Sequence, residues 1–173
     1  MLRLFIIFFL ASVLSLRAYS QSTSILDDVR HELFYDEFDL EKGTAFYEKI
    51  LTSGEDTPTL IAYQAAARAL IAKYTWNPMT KLSSLKSVEN LLKNAVGADE
   101  DNLEIRFLRF YIENSIPSYL GYSKNIKEDG ELLKNNLDVV RKLNLDKRIS
   151  DYIIEYVNSV DLSKSKRKIK ASF

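Results

Sequence analysis

Thr57-Pro58 and Asn77-Pro78 repeat one device: a side chain able to cap a helix, followed by proline at the first helical position. Proline fixes φ and lacks the N–H that the first turn has no partner for, so each pair starts a helix and neither fits a central strand. Between them stand Ala62, Ala65, Ala66, Ala67, Ala69 and Ala72 among Leu60, Ile61, Tyr63, Leu70 and Ile71. Alanine is the best helix former, and a face of small residues lets a neighbouring helix approach closely. The spacing predicts a helix from 58 to about 74. A second follows from 78 to about 96, with Leu82, Leu85, Val88, Leu91, Leu92 and Ala95 on its apolar side.

The rest of the chain is punctuated the same way. Ser24, with Asp27 three residues on, opens a helix to about Phe38, striped by Leu26, Val29, Leu33 and Phe34. Asp39 opens one to about Thr52, with Ala45, Phe46, Ile50 and Leu51. Asp101 with Glu104, and Asn125 with Glu128, have capping-box spacing; the helix after Asn125 is expected to reach Leu143. Asp146 opens the last, to about Val160. In the helix after Asp101, Leu103, Phe107, Phe110 and Tyr111 mark one side, and Ile105, Leu108 and Ile112 another. A helix apolar on two sides is buried between neighbours. No stretch alternates at period two, and five glycines and three prolines are too few turn-formers for a sandwich of short strands. The fold expected is all-α, about seven helices stacked as antiparallel hairpins.

The first twenty residues read differently. Arg3 precedes an uncharged apolar run from Leu4 to Leu16, and Ala18-Tyr19-Ser20 places small residues before Gln21. That is the pattern of a secretory signal peptide, and its apolar core is shorter than the roughly 20 residues a spanning helix needs. The expectation is a signal peptide at 1–20, one helical domain at 21–162, and a tail at 163–173. The exported protein would be periplasmic or extracellular after cleavage near Ser20-Gln21. The whole chain has 24 cations against 24 acids, and loss of Arg3 and Arg17 leaves 22 against 24. A nucleic-acid partner, which demands a basic domain, is not expected. The tail carries Lys164, Lys166, Arg167, Lys168 and Lys170; it reads first as a solvated terminus, and second as a weak contact for an anionic membrane.

Chemistry is sparse. Cysteine is absent, which removes disulfides, thiol nucleophiles, thiolate metal sites and acyl anchors on cysteine. His31-Glu32 is followed by Tyr35 where a zincin would place its second histidine. There is no Gly-x-Ser-x-Gly, no second histidine to serve as a base, and no glycine-rich phosphate loop. Carboxylates such as Glu41 with Glu48, or Asp99 to Asp101, are accounted for by caps and turns. No catalytic residue, cofactor or metal is expected, and an enzyme ranks last among the readings.

One stretch resembles a tetratricopeptide repeat. Val88 to Val96, followed by Asp99-Glu100-Asp101-Asn102, is similar to the second helix of that repeat with its alanine and acidic turn, and Leu103 would begin the next. Ala45 to Leu51, before Thr57-Pro58, looks like an earlier copy. The two turns lie about 45 residues apart, against 34 in the family, the excess being Trp76-Asn77-Pro78-Met79. Trp76 to Leu85, and Asn102 to Arg109 on to Glu128-Asp129, also look like small exported proteins of Bacteroidota-type bacteria. The resemblance implies a helical repeat and an export route, and implies no activity.

Stacked hairpins make concave surfaces, and aromatic residues with arginine supply affinity there. The leading expectation is therefore a non-catalytic module contacting a protein or peptide in the cell envelope. Its surface would draw on Tyr63, Tyr74, Trp76, Arg106, Arg109, Tyr111 and Tyr119. Residues 106–122 stay open between that role and core filling. The alternative function is a small-ligand or lipid carrier with an apolar interior cavity.

Overall fold

The computed structural model describes residues 25–163; the leader read at 1–20 and the five tail cations from Lys164 to Lys170 lie outside them. The described chain is helical throughout, with no strand among the described residues. Its elements are α1 (residues 25–35), α2 (Leu40–Thr52), α3 (Pro58–Tyr74), α4 (Pro78–Ala98), α5 (Leu103–Ser115), a 3-10 turn (Ser118–Leu120), α6 (Ile126–Asn135), α7 (Leu137–Val140) and α8 (Lys147–Ser159).

The caps explain where these helices begin. Asp39 accepts from the Lys42 N–H, Thr57 from Leu60, Asn77 from Met79 and Thr80, and Asp146 from Arg148. Each satisfies donors that the first turn leaves without a partner. Two starts differ from the sequence reading. The α5 cap is Asn102, not Asp101: its Oδ1 accepts from Glu104 and Ile105 while its Nδ2 donates to Asp99. An aspartate offers no such donor. Asn125 precedes α6 without capping it; its side chain donates instead to Glu113 on α5.

The helix expected from 125 to 143 is two, broken at Asn136. That residue's Nδ2 bonds back to the Leu132 carbonyl at 2.8 Å, the local competition with helix hydrogen bonding that makes asparagine a poor interior residue. The first helix also stops three residues before Phe38.

The core has two main parts that share α5. Val29, Phe46, Ile50, Leu60, Tyr63 and Ala67 meet Ile105 and Leu108 in one. Leu103, Phe107 and Phe110 meet Leu133 and Val140 from α6 and α7, with Ile149, Ile153 and Val157 from α8, in the other. The two apolar sides of α5 thus face two different packing layers, as their spacing predicts. A third cluster joins Ala65 and Ala66 of α3 to Val88 and Leu92 of α4 and Ile112 of α5. The three-residue connection at 75–77 makes α3 and α4 an antiparallel hairpin, and the alanine face sets how closely they approach.

Glycine serves the same purpose at two places. A Cβ on Gly43 would sit 3.3 Å from that of Leu70, so α2 and α3 meet backbone to side chain. On Gly130 it would sit 2.6 Å from a Leu162 methyl and 3.0 Å from the Phe110 ring.

Candidate binding groove

The apolar stripe of α1 does not end in the core. Its last turn presents Leu33 and Phe34 at the surface edge, where α3 brings Leu70, Lys73 and Tyr74 beside them. α5 contributes Phe107, Leu108 and Tyr111, and α8 contributes Tyr152. These side chains line an open groove of about 500 Å³.

Its floor is a chain of rings. Phe34 stacks on Phe107 at 6.3 Å between centroids and meets Tyr152 edge-on at 5.7 Å. Tyr111 lies 6.3 Å from Tyr152 and 4.8 Å from Tyr156. Offset and edge contacts of this kind suit the ring quadrupoles and hold the rings in place. Tyr111 is 36% exposed and Tyr152 41%, so each keeps a face toward solvent. Burial, followed by the neighbouring Tyr111 hydroxyl, raises the Tyr152 pKa above its ordinary 10. Tyr156 is fixed from behind by Asn114, whose Nδ2 donates to its hydroxyl at 2.8 Å. At the groove's rim the Lys73 ammonium lies 4.9 Å from the centre of the Tyr74 ring, a cation–π contact, and Asp36 and Glu37 also line the groove.

Of the seven residues singled out by sequence, this groove brings together two, Tyr74 and Tyr111. Trp76, 88% exposed, stands on the α3–α4 connection outside the groove, and Tyr119, 85% exposed, on the 3-10 turn. Tyr63 and Arg109 are buried and lie outside this groove. Tyr63 is fully buried, its hydroxyl donating to Glu104 at 2.8 Å. Arg30 holds the same carboxylate from both oxygens, at 2.8 and 2.7 Å. Burial and that carboxylate push the Tyr63 hydroxyl well above its ordinary pKa.

Arg109 and Arg106 form a second buried pairing. The fully buried carboxylate of Asp129 accepts from Arg109 at 2.6 and 2.7 Å and from Arg106 at 2.8 Å, and Arg106 also reaches Glu128. The segment 106–122 therefore divides. Arg109, Phe107, Leu108 and Phe110 belong to the interior, Arg106 is half-buried, and Tyr111 and Tyr119 reach the surface.

No family model, curated protein or solved structure matches the chain. The geometry alone carries the functional reading.

Sequence reasoning missed Phe34 and Tyr152, which complete the groove. Both recur at core spacing in their helices, and what brings them to the groove is their ring contacts with each other and with Phe107 of α5. A second, smaller cavity of about 190 Å³ lies between α4, α5 and the segment after the 3-10 turn, lined by Val88, Leu92 and Ile116 with Arg109, Glu113 and Lys124. Both Glu113 oxygens accept from Asn125, at 2.7 and 2.6 Å. Burial outweighs those bonds and raises its pKa above the ordinary 4.5.

Proposed function

We propose that this chain is an exported, non-catalytic helical module of the tetratricopeptide-like kind. In this reading it holds a peptide segment of an envelope protein in the groove formed by α1, α3, α5 and α8. One observation carries the reading: Phe34, Tyr74, Tyr111 and Tyr152, from four helices, converge on one open groove, and ring contacts hold Phe34, Tyr111 and Tyr152 in place. Tyrosine gives large contact area with few rotors to freeze, and a ready hydroxyl, which is why it anchors recognition surfaces. The rim adds a cation at Lys73 and acids at Asp36 and Glu37 to fix the direction of a bound peptide.

The test is a crosslinking pull-down of tagged protein from its native envelope, run in parallel with the Tyr74→Ala/Tyr111→Ala variant. Loss of a captured partner, with unchanged helical circular dichroism, supports the groove. Identical captures from both proteins reject it.

The cavity beside Glu113 favours a second reading, a carrier of a small ligand. Its roughly 190 Å³ holds a molecule of a few heavy atoms; an apolar cavity of about 150 Å³ takes up benzene. Native mass spectrometry that finds a retained small mass would favour this reading over the first.

A further inference from the structure

The connection between α3 and α4 exposes apolar side chains that the groove does not use. Trp76 is 88% exposed, Met79 75% and Leu82 57%. Met79 and Leu82 are three residues apart, on one side of the first turns of α4, and Lys86 continues that side one turn further on. Trp76 sits just ahead of them, at the hairpin's tip.

The charge around them is one-sided. From Thr57 to Val88 the sequence has Arg68, Lys73, Lys81 and Lys86 and not one acid; Asp56 and Glu89 are the nearest. Arg68 is occupied over the Tyr47 ring at 4.2 Å. Lys73 is occupied over the Tyr74 ring at the groove. Lys81 and Lys86 are exposed, and no ion pair joins either to a carboxylate among the described residues. Trp at the boundary between water and acyl chain, with lysines reaching the headgroups, is the composition that settles at a bilayer interface.

We propose that the α3–α4 tip docks on an anionic lipid bilayer, with Trp76, Met79 and Leu82 at the acyl boundary and Lys81 and Lys86 against the lipid phosphates. The complementarity commits the occupant: two exposed cations joined to no carboxylate match a negative surface, and a second copy would set the same cations against each other. The proposal stands independently of the groove, which lies beside the tip and keeps its own test.

Trp76 is the only tryptophan in the chain, so its emission reports this tip alone. The full chain is mixed with vesicles of phosphatidylglycerol and phosphatidylethanolamine, and separately with phosphatidylcholine vesicles. Expected on the anionic vesicles are a shift of emission to shorter wavelength and quenching by lipids brominated on the acyl chain; neither is expected on the neutral ones. Lys81→Gln and Lys86→Gln each weaken partitioning by about fivefold, and added salt weakens it further. Met79→Glu with Leu82→Glu abolishes the shift while circular dichroism stays that of the parent, both side chains being exposed. Unchanged emission on anionic vesicles overturns the proposal, including where the protein sediments with them through another segment. So does an equal shift on neutral vesicles, a shift that survives Met79→Glu/Leu82→Glu, or one that appears with rising protein concentration and no lipid.

Discussion

Asp129 offers the sharpest stability test. Its carboxylate is fully buried and accepts from both nitrogens that Arg109 presents and from Arg106, all between 2.6 and 2.8 Å. Hydrogen bonds to charged groups contribute roughly 1.5–3 kcal/mol each, so a naive sum over three would rival the whole stability of a domain, about 5–15 kcal/mol. The sum overshoots because both ions lost their hydration on folding. What the removal of one partner does leave is a buried, uncompensated guanidinium, at a cost of about 3–5 kcal/mol. Arg106 retains Glu128, whereas the main partner of Arg109 is gone, which places Asp129→Ala near the middle of that range. With a urea slope of about 2 kcal/mol/M, the unfolding midpoint should fall by about 2 M. Glu128→Ala removes a carboxylate that is mostly in water and should cost under about 1 kcal/mol. Replacing the buried pair together, Arg109→Met with Asp129→Leu, should recover most of the loss, since no charge is left stranded. The reasoning is refuted if Asp129→Ala unfolds within about 1 kcal/mol of the parent, or no earlier than Glu128→Ala.

Tyr63→Phe removes one of three bonds to the buried Glu104 carboxylate and keeps the ring; thermal unfolding should show a loss of about 1–2 kcal/mol. Ala65→Leu forces extra methylenes between α3 and α4 and should cost about 1–3 kcal/mol in the same assay, whereas Trp76→Ala should stay within about 0.5 kcal/mol. Glu113 should titrate above 4.5 in a carbon-detected NMR series. Because the folded protein holds that proton more tightly than the unfolded chain, this group's contribution to stability is full below 4.5 and declines as pH rises through the folded pKa; Glu113→Gln should remove that slope. Mass spectrometry of protein from the native host should find an N-terminus at Gln21, and an intact Met1 would reject cleavage at that site.

What the sequence made legible was whatever is decided within a few residues. Thr57-Pro58 and Asn77-Pro78 open α3 and α4 where the cap chemistry places them, and the two spacings along α5 anticipate its place between two core layers. Asn136 was hidden because one asparagine inside an amphipathic pattern costs little until its side chain finds a carbonyl to bond. The arginines stayed undecided for another reason. Near aromatics in sequence they fit either a surface or a paired interior, because their carboxylate partner is 20 residues or more away in the chain. Tyr63 finds Glu104 across 41 residues, a pairing that periodicity cannot reveal. The groove has the same origin: Tyr74 and Tyr111 are visible one by one, but only the crossing of four helices puts them beside Phe34 and Tyr152.

The claim that this groove takes a partner peptide is tested most directly by a photoreactive phenylalanine analogue placed at Tyr111 in the native host, with a second copy of the experiment at Lys142, which is exposed and outside the groove. The account predicts a discrete crosslinked protein from position 111 and none from 142, with the crosslink lost when Tyr74→Ala is added. The same product from both positions, or none from 111, would contradict it.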